Sequence, residues 1–369
     1  MSKQKITPKQ GSDYIVSTFF SESLKGTKAY QLEMVPDVDV KLDQNECPWD
    51  WNEGLKRRVL EKVLKREWNR YPDPFAHNLT EILAASLGLR AENILLGPGS
   101  NHLISLVMDA VGHTLEGDVI IARPSFALFE EQCRYSDIDY KVWPLSDSLD
   151  YDLSLMPDVP KGSLVVFASP NNPTGSYLSL GDFEKLLAEN PDSLFFADQA
   201  YAEFCADDYL GLLEKYSNLV ILRTFSKSMG SAGVRLGYLA GPANIVREIG
   251  KRRLPYMLNH FSVAAAETLL SDSGVTAEIN KNIEIIISER KRLFDALTAS
   301  DDFQVKNSET NFLLVKWPSQ KQCEDTHKRL VERGVLVRNV SKGPGLTGCL
   351  RVSIGTPHEN TKLIDALIH

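Results

Sequence analysis

The sequence predicts an α/β protein: a large domain on a mostly parallel sheet, flanked by helices, followed by a smaller α+β domain. Three observations predict it. Short apolar runs rich in β-branched and aromatic residues recur between about 94 and 222, the pattern of strands buried on both faces. Amphipathic stretches separate them, and such alternation gives a parallel sheet with helices on both sides. Beyond residue 257 the pattern changes to a long helical region and then short strands. At 369 residues the chain is also long for one core. We therefore expect an N-terminal arm at 1–45, a large domain at 46–256 and a small domain at 257–369.

The first 40 or so residues are polar and irregular, which suits an arm better than a core. Five expected strands follow at 94–96, 119–122, 164–168, 194–197 and 219–222. Between the first two, Leu103, Leu106, Val107, Ala110 and Val111 share one helical face. The second domain would hold a helical region at 264–298, a helix at 322–333, and strands at 312–315, 335–337 and 350–354. Parallel sheets bind ligands beyond the carboxyl ends of their strands, and a cleft between two domains is the natural place for a site.

A net charge of −8 argues against nucleic acid or an anionic membrane as the main partner. No apolar run approaches the roughly 18–20 residues of a membrane span, and the N-terminus lacks the apolar core of a secretory signal. The five cysteines are scattered without a C-x-x-C pair, as free thiols in a reducing compartment would be. A cytoplasmic protein acting on small molecules is expected.

Four strand ends carry unusual residues. Gly97-Pro98-Gly99-Ser100-Asn101-His102 follows the first: its glycines allow a tight turn, Ser100 can cap the next helix, and free N–H groups there can hold a phosphate. Ser169-Pro170-Asn171-Asn172-Pro173-Thr174-Gly175 is a stiff loop presenting Asn172. Asp198 ends the fourth run with Tyr201 close behind, and a carboxylate at a buried strand end is costly unless it meets a cation. The last run leads into Ser226-Lys227-Ser228 and Arg235.

Amine chemistry on pyridoxal 5′-phosphate needs such a set. Lys227 would hold the cofactor as a Schiff base and then act as general base and acid. Asp198 would pair with the pyridine nitrogen and keep it protonated. Asn172 and Tyr201 would hydrogen-bond the ring's 3-oxygen. Ser226, Arg235 and the turn at Ser100, Asn101 and His102 would hold the phosphate, and Phe126 would stack on the ring.

Asn172-Pro173-Thr174-Gly175, Asp198-x-x-Tyr201, and Ser226-Lys227 with Arg235 eight residues on resemble the fold-type I aminotransferases. More narrowly, Leu42-Asp43-Gln44-Asn45-Glu46-Cys47-Pro48, Asn69-Arg70-Tyr71-Pro72-Asp73-Pro74 and Leu350-Arg351-Val352-Ser353-Ile354-Gly355-Thr356 resemble the histidinol-phosphate aminotransferases. Asn311-Phe312 and the segment from Gly334 to Arg338 extend the likeness along most of the chain. The resemblance implies a homodimer with shared active sites, in which Tyr71 reaches the neighbour's cofactor phosphate and Tyr30 covers the substrate. It also implies that Arg351 and Arg338 bind substrate anions beside Asn45, with 2-oxoglutarate as amino acceptor. Asn101-His102 departs from the family's usual Asp-Glu, and Phe126 replaces a common tyrosine. Alternative readings on the same scaffold are an aromatic or other amino-acid aminotransferase, a decarboxylase of a phosphorylated amino acid, and a catalytically silent regulator.

Overall fold

The computed structural model describes residues 8–27 and 38–368. Among them lie twelve strands: β1 (Val40–Leu42), β2 (Ile94–Gly97), β3 (Val119–Arg123), β4 (Tyr140–Pro144), β5 (Leu164–Ala168), β6 (Leu194–Asp198), β7 (Leu219–Thr224), β8 (Gly237–Ala240), β9 (Gln304–Lys306), β10 (Phe312–Lys316), β11 (Val335–Asn339) and β12 (Cys349–Ser353). They form a seven-stranded sheet in the order β2-β8-β7-β6-β5-β3-β4 and a five-stranded sheet in the order β1-β11-β12-β10-β9. In the larger sheet only β8 runs against its neighbours, β2 and β7. The neighbours β3, β4, β5, β6 and β7 pair in parallel.

Side-chain alternation explains why the larger sheet is covered on both faces. Val119, Ile121, Leu164 and Val166 join Leu103, Val107 and Phe129 in the core on one side. Ile120, Ala122, Val165 and Phe167 join Phe183, Leu186 and Tyr209 on the other. All five expected strands are present; β5 matches its apolar run and the other four extend one or two residues beyond theirs. β4 and β8 carry no such run: β4 alternates exposed and covered positions, and β8 is four residues beginning with a glycine.

The smaller sheet differs from the expected layout in two ways. β1 comes from the expected arm, yet pairs in parallel with β11, placing Val40 opposite Val335 and Leu42 opposite Val337. Three residues are too short for a readable periodicity, and only the pairing defines this strand. The expected helical region at 264–298 is two helices, His260–Leu270 and Ser273–Leu297. Asp272 separates them, its side chain accepting from the N–H groups of Gly274 and Val275 as the second helix's cap. The first helix packs with Leu55, Val59, Leu79 and Ile94 of the large domain. The second covers the smaller sheet through Ile286, Leu293 and Leu297. The chain thus returns to the large domain after 257 before entering the small one. The arm is not wholly irregular either, since Pro8–Phe19 and Glu22–Gly26 are helices.

Candidate active site

The carboxyl ends of β5, β6 and β7 meet the segment 43–46, which leads out of β1. Lys227 lies three residues beyond β7. Its Nζ donates to the carbonyl oxygen of Gln44 at 2.9 Å and lies 5.9 Å from the centre of the Tyr201 ring. Burial, helped by the Arg351 guanidinium, pushes this amine down to about 8 from the usual 10.5. An amine so depressed is partly neutral near physiological pH, as a nucleophile must be.

Asp198, the last residue of β6, is buried, and its Oδ1 accepts from the N–H of Ala200 at 2.9 Å. Burial pushes its carboxyl up to about 7, against that N–H bond and the pull of Lys227. One peptide N–H does not compensate a buried carboxylate, so the position calls for a cation. Tyr201 is buried edge-on to Phe312, with ring centres 5.3 Å apart, and its hydroxyl accepts from Asn45 Nδ2 at 2.8 Å. Burial raises this phenol too.

Asn45 is almost fully covered and adopts φ of +54°, a left-handed conformation that asparagine tolerates. Its N–H donates to Ser353 Oγ at 2.8 Å, and that hydroxyl donates back to Asn45 Oδ1 at 2.9 Å. Asn311 Nδ2 donates to the Asn45 carbonyl at 3.0 Å. The smaller sheet therefore grips the segment that reaches Lys227 and Tyr201. From the same sheet, Arg351 Nη1 donates to Asn172 Oδ1 at 2.6 Å and Nη2 to the carbonyl oxygen of Asp43 at 2.7 Å. Arg338 lies directly opposite Arg351 across the β11–β12 pair.

A second cluster lies where β2 turns into the helix Ser100–Val111. The first turn of a helix leaves N–H groups without intrahelical partners, here those of Ser100, Asn101 and His102. Gly99, at φ of +87°, is the residue before the helix, and Ser100 is its first residue, so the expected serine cap is absent. A Cβ on Gly99 would lie 2.6 Å from Arg235 Nη2, so only glycine lets that guanidinium close on the turn. Arg235 has φ of +57° and anchors Nη1 on the carbonyl of Ala232 at 3.0 Å. Ser226, at the end of the same path, accepts from Thr224 Oγ1 at 3.0 Å. The Nε2 of His102 is buried with no hydrogen-bond partner, and burial lowers this imidazole. Backbone donors beside an arginine at a helix start form an anion cradle.

The structure thus brings together Lys227, Asp198, Tyr201, Asn172, Asn45 and Arg351, and separately Ser100, Asn101, His102 and Arg235. Phe126, in the turn after β3, stands edge-on to Phe129 at 5.9 Å. Tyr71 is not with them. It is 80% exposed and stacks on Tyr256 at 4.4 Å. Tyr30 lies outside the described residues. Sequence reasoning missed the carbonyls of Asp43 and Gln44 and the anchoring roles of Ser353 and Asn311. The registry Phe312↔Ser353 places the latter pair, and no local pattern signals it.

A lysine of lowered proton affinity, a buried acid awaiting a cation and an anion cradle on one parallel sheet define a fold-type I pyridoxal phosphate enzyme. The model for aminotransferase class I and II matches residues 37–367. The chain is 36% identical to a histidinol-phosphate aminotransferase of Aquifex aeolicus, covering 94% of this chain and 96% of that one. It is also 36% identical to histidinol-phosphate aminotransferase 1 of Carboxydothermus hydrogenoformans, over 95% and 97%. Among solved structures, the histidinol-phosphate aminotransferase of Sinorhizobium meliloti in complex with pyridoxal 5′-phosphate shares the fold, with a TM-score of 0.80 at 23% identity, covering 95% of this chain and 96% of that one. The chain belongs to the class I and II aminotransferases. It is a transaminase, and its cofactor is pyridoxal 5′-phosphate. The donor set fits that group: an amine for its aldehyde, an acid for its ring nitrogen and a glycine-lined cradle for its phosphate.

Among the described residues, no helix is long and apolar enough to cross a membrane, and no cluster of His, Cys, Asp and Glu is placed to hold a metal.

Proposed function

We propose that this chain moves the amino group of L-histidinol phosphate to 2-oxoglutarate, giving imidazole acetol phosphate and glutamate, a step of histidine biosynthesis in the cytoplasm. One observation carries the reading: Arg338 and Arg351 stand directly opposite each other beside the strand ends. Like charges in that position repel unless an anion lies between them. A guanidinium fork suits both the carboxylate of the oxo acid and the phosphate of the donor, so one site can serve both half-reactions. The names of the chain's relatives support the same substrate.

When bound, the cofactor would supply an electron sink for the carbon that bears the substrate's amino group. Lys227 would hold the cofactor between turnovers; with substrate in place, its Nζ would take the proton from that carbon as general base and give it back as general acid. Asp198 pairs with the protonated ring nitrogen, which answers the cost of its burial. Tyr201 accepts from Asn45 and so keeps its own proton to donate to the ring's 3-oxygen. Asn172 Oδ1 accepts from Arg351, leaving Nδ2 to donate to the same oxygen. Phe126 covers the ring face. Ser226, Arg235 and the N–H groups of Ser100, Asn101 and His102 hold the phosphate.

We further propose a homodimer. Trp68, Tyr71, Phe75, Leu64 and Leu254 are each more than half exposed, an apolar surface that a second copy would cover. In that arrangement Tyr71 serves the partner's phosphate site.

The test is an absorbance titration of the holoenzyme with L-histidinol phosphate, glutamate and phenylalanine in turn. Conversion to the amino form of the cofactor by the first two, at low concentration, is expected. Conversion by phenylalanine but not histidinol phosphate would move the substrate to an aromatic amino acid. Release of carbon dioxide without any oxo acid would replace transamination by decarboxylation.

A further inference from the structure

The loop after β5 carries two asparagines, and the proposed chemistry uses only Asn172. Asn171 is fully buried. Its side chain spans two strand ends: Oδ1 accepts from Ser125 Oγ at 2.6 Å, and Nδ2 donates to the carbonyl of Pro124 at 2.9 Å and to Thr174 Oγ1 at 2.8 Å. Both amide hydrogens are committed. Its main chain closes its own loop, with its N–H on the Ser176 carbonyl at 2.7 Å and its carbonyl accepting from Gly175 at 2.8 Å.

These contacts have a definite direction. Pro124 and Ser125 immediately precede Phe126, and Asn171 immediately precedes Asn172. The two loops leave β3 and β5, adjacent parallel strands in register from Val119↔Leu164 to Ile121↔Val166. Beyond Ile121 the backbone pairing stops, so the separation of the two loop tips is set by side chains. Asn171 joins them. On the β3 side, Arg123 holds the far end of its loop through a bidentate pair with Glu130, with both contacts at 2.7 Å. The turn bearing Phe126 is thus pinned at Arg123–Glu130 and at Ser125–Asn171.

We propose that Asn171 is a positioning residue: it fixes the aromatic face of Phe126 relative to the amide of Asn172, and with them the tilt of the cofactor ring. This rests on the roles assigned above to Phe126 and Asn172. A ring pressed from one side and hydrogen-bonded at its edge needs both contacts in fixed relation, because a displacement of about 1 Å can cost about a hundredfold in rate. A buried amide with its donors spent is a stiff spacer.

Four variants of the holoenzyme test it: Asn171→Ala, Ser125→Ala, Phe126→Leu and Asn172→Ala. Each is read by the pH midpoint of the bound cofactor's absorbance and by cofactor affinity of the stripped protein. Asn171→Ala should move the midpoint in the same direction as Asn172→Ala, weaken cofactor binding as Phe126→Leu does, and lower kcat about tenfold to a hundredfold. Ser125→Ala removes one hydrogen bond and should move the midpoint the same way by less, even if Asn171→Ala does not fold. Unmoved midpoints and affinities in Ser125→Ala and any folded Asn171→Ala, with shifts in the other two, would overturn the positioning role alone. Four unmoved variants would overturn the roles of Phe126 and Asn172, and this one with them.

Discussion

Lys227, Asp198 and Asn172 stand at the ends of three adjacent strands of one sheet, whereas Arg351 and Asn45 arrive from another. The first group is placed by the parallel registry of β5, β6 and β7, and each residue lies within a few positions of its strand. The second is placed by β1 pairing with β11 and by the hydrogen bonds of Ser353 and Asn311 to Asn45. The two groups touch through few bonds, chiefly Arg351 to Asn172, Asn45 to Tyr201, and Lys227 to the Gln44 carbonyl. In the proposed assignment the residues at the cofactor end of this chain therefore rest on one sheet, and those at the substrate end on the contact between two. Damage to the second should spare the first.

The largest effect expected is at the cofactor end. Lys227→Ala should remove the absorbance of the lysine-bound cofactor and lower kcat by about a thousandfold or more, general acid–base loss being worth about 10²–10⁴. Normal turnover in that variant would move the chemistry elsewhere.

Asp198→Asn sharpens the contrast through stability. The folded carboxyl is pushed up to about 7 by burial, against 3.8 when exposed. The cost of ionising it is absent below the unfolded value, grows as pH rises between the two, and is complete above about 7. Cofactor-free Asp198→Asn should thus be more stable than the parent at pH 8, by up to about 4 kcal/mol, and equal near pH 4. Urea melts across that range would check it, and an unchanged difference would mean that Asp198 is compensated without the cofactor. Its turnover should nevertheless fall by about a hundredfold, the lower range of acid–base effects.

Arg351→Ala tests the separation directly. The KM for 2-oxoglutarate should rise about tenfold to a hundredfold, the worth of a charged hydrogen bond, while the cofactor absorbance stays. Loss of the absorbance instead would mean that the two ends are one unit. The smallest effect is expected of Tyr201→Phe, which keeps the ring against Phe312 and loses one hydroxyl. Its kcat should fall about fivefold to tenfold, as a single hydrogen bond implies, with a moved midpoint in the cofactor's absorbance titration.

The same division governs how much was legible beforehand. Five strands of the larger sheet were readable because each is an unbroken apolar run, four of them followed by chemically odd residues. β4, β8 and β9 were not, because their pairing partners cover them rather than their own composition. Lys227, Asp198 and Asn172 could be picked out as a set, because each stands at a strand end or within four residues of one. Ser353 and Asn311 carry no such mark. They are one serine and one asparagine among many, and only the antiparallel match of β10 with β12 turns them towards Asn45.

By itself the sequence determined five strands of the larger sheet and the cofactor, because a buried parallel strand needs continuous apolar residues and its end points at the ligand. Only the tertiary structure decided that residues 40–42 belong to the smaller sheet, that His260–Leu270 returns to the larger one, and that Arg351 and Asn45 close on Lys227. Those facts depend on contacts between segments far apart in sequence, from Lys227 and Gln44 at 183 positions to Asn45 and Ser353 at 308. Contacts of that range are selected by packing the whole chain, and no local pattern of residues encodes them.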